Sequence, residues 1–384
     1  MNVRFLFASP QGDIVLSPED LKRPFLINPS KAHPFLTLKH YFESLKSFIL
    51  NDQASILVSV LRDQFKKAIT LSDIHEILIR SEKHGTFYHL ASVEVLTDEG
   101  HIKLGISTAI SKQGKAVLSN EYTILDDLNS AYQRPFLPRV FFKGEVPCDG
   151  GQGKSESLSM LLTQWFEGYH EWHLSIDEKG GCQKVCIWDM EKGHRDATPE
   201  ETFEIFRQAA KILALYYDTQ GFKQIYPWHH AAGDFIVRTT QGVVDLRLTT
   251  VRQYQSIMDA VSQEPPNPLI AMVYFFLNLT ARMRLDRLDG VAETVWAGDF
   301  SVKATVKGFF EALEIMDQEG RYGLGSVEDL LALLRSFSED DFMGLFFSVL
   351  RLYEGDDPAD LSVIEANLKD HALCVLRVLQ EYGS

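Results

Sequence analysis

The spacing of hydrophobic positions changes twice along the chain. Between His33 and Thr70, in "HPFLTLKHYFESLKSFILNDQASILVSVLRDQFKKAIT", apolar residues recur every three or four positions, which predicts amphipathic helices. From Ile74 to Val146 the period shortens toward two, in "EILIRSE", "FYHLASVEVL", "HIKLGISTAI" and "RVFFKGEV", with turn residues at "KHG" and "TDEG". That pattern predicts an antiparallel meander. One helical face interrupts it, in "LSNEYTILDDLN", where Leu118, Tyr122, Leu125 and Leu128 line up. After Leu158 helical periodicity dominates. It includes "TPEETFEIFRQAAKILALYYDT", whose Thr198 and Glu201 have capping-box spacing, then "NPLIAMVYFFLNLTARMRLDRL" and "SVIEANLKDHALCVLRVLQEYG". The main β element expected in that half is the Tyr226–Leu248 stretch, "YPWHHAAGDFIVRTTQGVVDLRL", with "TTQG" as a hairpin turn. The expected organisation is α+β: a mainly helical N-terminal extension over 1–73, a β-rich part over 74–165, and a helical part carrying the hairpin over 166–384. The segments "MNVRFLF" and "QKVCIWDM" read as extended, without an evident place.

Composition narrows the function. The 384 residues, 45% hydrophobic and 24% charged, describe a folded globular chain with room for two or three domains. A formal net charge of -15 argues against nucleic acid as a partner and favours a cationic substrate such as an amino sugar. Cys148, Cys182, Cys186 and Cys374 form no CxxC pair and no zinc-ligand series, as in a reducing compartment. No run of about 18 apolar residues occurs, so a membrane span is not expected and the expected location is cytoplasmic. The stripe Phe42, Leu45, Phe48, Leu57, Leu61 and Phe65 suits core packing more simply than docking of a protein partner, and the pattern names no such partner.

Two motif fragments dissolve on inspection. Gly153-Lys154-Ser155 ends like a phosphate-cradling loop, but Cys148 stands where its first glycine belongs, so a surface loop is expected. His194-Arg195-Asp196 opens like a kinase catalytic loop, but Glu201 holds the place of its asparagine, and the segment reads as a helix lead-in. The hairpin keeps more chemistry. Asp234 precedes its first strand and Asp245 lies inside its second, flanked by Val243, Val244 and Leu246. A carboxylate in such company needs a cation or hydrogen-bond donors. Two of them at one end of a hairpin would suit a magnesium ion carrying phosphates, with His229 in the adjoining loop.

The order of meander, glutamate-bearing helix, helical half and Asp-bearing hairpin resembles the two-lobed protein-kinase-like fold, in the version of aminoglycoside phosphotransferases and choline kinases. In that family HGDxHxxN leads into the hairpin; here "PWHHAAGDFIVR" lies over it. The resemblance puts Asp234 and Asp245 at the metal-binding positions, His229 at the catalytic aspartate, and Glu121 of "NEYTIL" at the residue that pairs a lysine, for which Lys103 has a suitable separation. Arg247, where a glycine is expected, would be a phosphate clamp. The resemblance implies ATP and Mg2+ as cofactors, and phosphoryl transfer to a small-molecule hydroxyl or amine, or else a pseudokinase that binds without turnover. His229 is open to three roles: general base, transient phosphoryl acceptor, or structural histidine. A different chemistry, a transition-metal site of His170, His173, His229 and His230, stands as an alternative to ordinary aromatic packing.

Overall fold

A computed structural model describes residues 1–9, 12–28, 31–85, 87–150, 153–177, 181–189, 192–261, 267–355 and 358–383. The chain is α+β and divides into two compact units, one of 1–133 with 137–167 and one of 134–136 with 168–384. No helix among the described residues is long and apolar enough to cross a membrane.

The first unit is a seven-stranded sheet in the order Ile14–Val15, Asn2–Phe7, Ile74–His84, His89–Thr97, Gly100–Ala109, Ser155–Gln164, Val140–Asp149. The meander is therefore present, and "MNVRFLF" has its place: Asn2–Phe7 pairs in parallel with Ile74–His84, while every other neighbouring pair is antiparallel. Residues 1–73 are thus not a helical appendage but contribute strands to the sheet and a helix, Leu38–Phe65, to its core. That helix breaks at Asn51–Ala54, where the backbone leaves helical geometry. Its stripe Phe42, Leu45, Phe48, Leu57 and Leu61 is buried with Ile77, Ile79, Val93, Val95, Leu104 and Leu162, and Phe65 packs at the margin. Strand alternation sends Leu161 and Ala109 to a separate cluster with Leu118 of the Lys112–Tyr132 helix. The Gly-Lys-Ser fragment sits in the connection between Val140–Asp149 and Ser155–Gln164, two antiparallel neighbours, where no strand leads into a helix; Gly151 and Gln152 lie outside the described residues.

The second unit carries more β structure than periodicity suggests. Trp172–Ile176, Gln183–Ile187 and Arg195–Asp196 form a three-stranded sheet, which gives "QKVCI" its partners. Arg195 clamps Glu201 through two bonds of 2.8 and 3.0 Å, while Thr198 and Glu201 complete the capping box of the Pro199–Leu215 helix. The HRD fragment is indeed a helix lead-in. Pro199–Leu215 packs on Asp299–Gln318, and Gly308 permits the close approach, since a Cβ there would lie 2.0 Å from the Arg207 carbonyl oxygen. The hairpin joins Phe235–Thr240 to Val243–Leu248 through Gln241 and Gly242, both at positive φ, as a two-residue primed turn requires. Val237, Leu246 and Leu248 are buried, the Val243–Leu248 strand packs on Pro199–Leu215, and Pro268–Arg282, Val327–Ser336, Glu339–Leu350 and Pro358–Glu381 pack among themselves and on Asp299–Gln318.

Candidate functional site

The loop before the hairpin is closed by its own hydrogen bonds. His229 caps a short turn, His230–Ala232, and its Nδ1 accepts the Ala231 N–H at 3.0 Å. The ring proton of the neutral imidazole therefore belongs on Nε2, which faces Asp360 Oδ2 at 3.4 Å. Gly233, at φ +67°, reverses the chain. Asp234 then returns to accept the His229 N–H at 2.9 Å, and Thr249 N–H bonds the Asp234 carbonyl at 2.7 Å. Asp234 is 1% exposed, and Arg252 holds both of its carboxylate oxygens, at 2.5 and 2.6 Å. A two-bond fork of that kind is among the stronger hydrogen-bonded pairings of a carboxylate.

Asp245 has different company. It stands opposite Arg238 in the hairpin register and accepts bonds from the Tyr169 hydroxyl at 2.5 Å, from Arg238 at 3.2 Å and from Arg247. Tyr169 lies against both guanidiniums, 4.6 Å from Arg238 and 5.4 Å from Arg247, and burial together with the bond to Asp245 raises its hydroxyl pKa to about 12. The expectation that Asp234 and Asp245 share an ion fails on register. Asp234 sits one residue beyond the Phe235–Leu248 rung and Asp245 on the Arg238 rung, four residues along from Asp234, or roughly 13 Å of strand. Magnesium holds its ligands at about 2 Å. The residues present do not fit that ion, because a guanidinium occupies Asp234 and two guanidiniums with a phenol surround Asp245.

The remaining expected residues are placed as follows. Lys103 pairs with Glu82 at 3.1 Å and lies over the Trp165 ring, while Glu121, 5% exposed, accepts the Tyr88 hydroxyl at 2.8 Å. Arg247 is committed to Asp245 and lies over Phe136. The four histidines do not converge. His170 pairs with Asp189 and His230 bonds the Met283 carbonyl against Trp172. His173, 1% exposed, sits between Asp286 and Glu171. Burial, the largest single influence on His173, works to lower its pKa, but the two carboxylates outweigh it and raise it to about 9. No group of three or more metal-binding side chains occurs among the described residues.

Periodicity did not point to one cleft among the described residues. A cavity of about 580 Å³ opens in the second unit, lined by His229, Arg252, Arg282, Arg287 and Asp360, with Trp228 and Val291 among its apolar walls. Arg282 is 5% exposed. Its Nε donates to the Trp228 carbonyl at 2.5 Å, and its guanidinium lies 5.1 and 5.5 Å from the Tyr226 and Tyr353 rings. Asp360 is 4% exposed at the start of Pro358–Glu381. Burial works to raise its pKa, yet His229, Arg282 and Thr294 together hold it below the ordinary carboxylate value. The one signal in the sequence is the run "RMRLDR", which ends an otherwise apolar helix; Arg252 and Asp360 leave none. Around the cleft three guanidiniums meet two carboxylates, Asp360 and the Asp234 that pairs Arg252.

No protein-family model matches the chain, and no curated protein matches it. Among solved structures, choline kinase from Cryptosporidium parvum Iowa II is similar at 10% identity and a TM-score of 0.30, over 85% of this chain and 96% of that one.

Proposed function

We propose that the chain is a kinase-like protein that binds a phosphate-bearing small molecule without metal-assisted phosphoryl transfer, in the manner of a pseudokinase with a regulatory role. The observation that carries this reading is the Arg252–Asp234 pair: a fixed guanidinium stands on the carboxylate that the kinase-like resemblance assigns to the metal. Phosphoryl transfer depends on positioning and on neutralising charge, for which kinases use magnesium ions held by such carboxylates. An arginine already bonded to both oxygens would have to be displaced before an ion could bind them. His229 supports the same reading, because its Nδ1 accepts a backbone N–H and its Nε2 faces Asp360, which leaves neither nitrogen ready to take a proton from an acceptor hydroxyl.

The test is an assay of γ-phosphate transfer from ATP to a panel of hydroxyl and amine acceptors, with magnesium or manganese, alongside thermal unfolding with ATP. The expected result is no transfer above background, and the same stabilisation by ATP in magnesium as in EDTA. Magnesium-dependent transfer that disappears in Asp234→Asn would overturn the reading and restore a phosphotransferase.

A further inference from the structure

We infer that the first unit holds a binding site for a divalent transition-metal ion of the zinc class, made of the His84 and His89 imidazoles and the Leu26 carbonyl. The site belongs to a different unit from the cleft, and the inference does not rest on the proposed function.

His84 and His89 stand opposite each other on the last rung between Ile74–His84 and His89–Thr97. Their side chains therefore leave the sheet on one face, and their ring centroids lie 3.5 Å apart. Both Nε2 atoms converge on one oxygen, the Leu26 carbonyl, at 3.2 Å from His84 and 2.6 Å from His89. Leu26 lies in Pro24–Asn28, whose register with Lys31–Thr37 shifts on both sides of it. The other nitrogen of His84, Nδ1, faces a second carbonyl, that of Gly85, at 3.3 Å. A neutral imidazole carries one N–H, so one His84 nitrogen must set its lone pair against an oxygen. A cation between Nε2 and the Leu26 oxygen resolves that opposition. Nδ1–H then donates to Gly85, the arrangement by which metal-bound histidines fix their tautomer.

The dimensions suit zinc. Ligands about 2.1 Å from a tetrahedral zinc stand about 3.4 Å from one another. His84 Nε2 is already 3.2 Å from the Leu26 oxygen, and His89 needs to withdraw by about 0.8 Å. His89 is 6% exposed and lies against the Phe25 and Tyr41 rings at 4.4 and 5.6 Å. Burial, with His84 beside it, lowers its pKa to about 3, so no proton competes with a metal for it at neutral pH. Its own N–H moves from Nε2 to Nδ1 on binding, a change of tautomer and not of charge. His84 is only partly buried and gives the ion its way in. Two imidazoles and a carbonyl suit zinc, nickel or copper, whereas magnesium and calcium take oxygen ligands. Water fills the fourth position. The ion would brace Pro24–Asn28 against the end of the sheet hairpin.

The experiment is calorimetric titration of zinc chloride into the whole chain, carrying no histidine tag and stripped with EDTA beforehand, with thermal unfolding in parallel. One equivalent of zinc should bind saturably and raise the unfolding temperature. His84→Ala should weaken binding by more than about tenfold, the least that losing even an outer-shell partner costs a metal site. His89→Phe, which keeps a ring beside Phe25 and Tyr41, should do the same. His75→Ala removes an exposed histidine paired with Asp98 and should leave affinity unchanged. Cobalt(II) in place of zinc should show the intense visible bands of a four-coordinate ion, and lose them in His84→Ala. If His89→Phe fails to fold, His84→Ala against His75→Ala still decides the matter. Absence of saturable zinc binding, which would leave a proton as the cation on His84, overturns the inference. So does zinc affinity that survives His84→Ala, or that falls equally in His75→Ala.

Discussion

Arg252 grips both carboxylate oxygens of Asp234, at 2.5 and 2.6 Å, at a position where Asp234 is 1% exposed. The pair ties the loop before the hairpin to the segment after it, because Asp234 also accepts the His229 N–H. One interaction therefore fixes the loop.

Removing one partner of this pair should cost far more than its net worth, since it strands a buried charge. Arg252→Gln, which strands the buried Asp234 carboxylate, is expected to lower unfolding free energy by about 3–5 kcal/mol in urea denaturation, and Asp234→Asn by less, because the Arg252 side chain is 29% exposed and stays hydrated. The double variant should be less destabilised than the sum of the two. Additive losses would mean that the pair does not act as a unit.

Asp245 is 30% exposed in its side chain and shares its donors. Asp245→Asn is expected to cost about 1 kcal/mol and to leave ligand affinity within about twofold, with no dependence on magnesium, because the residue lies outside the cleft lining. Urea denaturation checks the first point, and thermal unfolding with ATP in magnesium and in EDTA the second.

His173 gives stability a pH dependence whose sign follows from its raised pKa of about 9. An unfolded histidine titrates near 6.5, so the folded state holds the proton more tightly. The contribution is fully present below about pH 6.5 and is lost as pH rises through about 9. Unfolding free energy should fall by on the order of 3 kcal/mol across that window. An NMR titration of the His173 ring that shows a midpoint near 6.5 instead would refute the pairing with Asp286 and Glu171.

In the first unit, Tyr88→Phe should destabilise by about 2 kcal/mol, because it strips a donor from the buried Glu121 carboxylate. Lys103→Gln breaks only its contacts with Glu82 and Trp165 and is expected to leave affinity for phosphate ligands unchanged. A large loss of ATP-dependent stabilisation in Lys103→Gln would return that lysine to a phosphate-binding role.

The sequence by itself determined the local elements, because their information is periodic. The meander, the capping box at Thr198 and Glu201, the Gln241-Gly242 turn and the buried stripe from Phe42 to Leu61 are each set by residues a few positions apart. It also marked Asp245, by its apolar neighbours, and with it Asp234 at the entry to the hairpin, as carboxylates in need of a partner, and of the two it is Asp234 that folding buries. Only the tertiary structure decided what that partner is. Arg252 is 18 positions away, and the carboxylate facing His229 comes from Asp360 at the head of a distant helix. The parallel pairing of Asn2–Phe7 with Ile74–His84 lay beyond periodicity for the same reason. A buried charge dictates that it be compensated but not from where, since a guanidinium, a metal ion and a row of amides all satisfy the same electrostatics. The choice among them is made by which segments the folded core brings within about 3 Å of its oxygens.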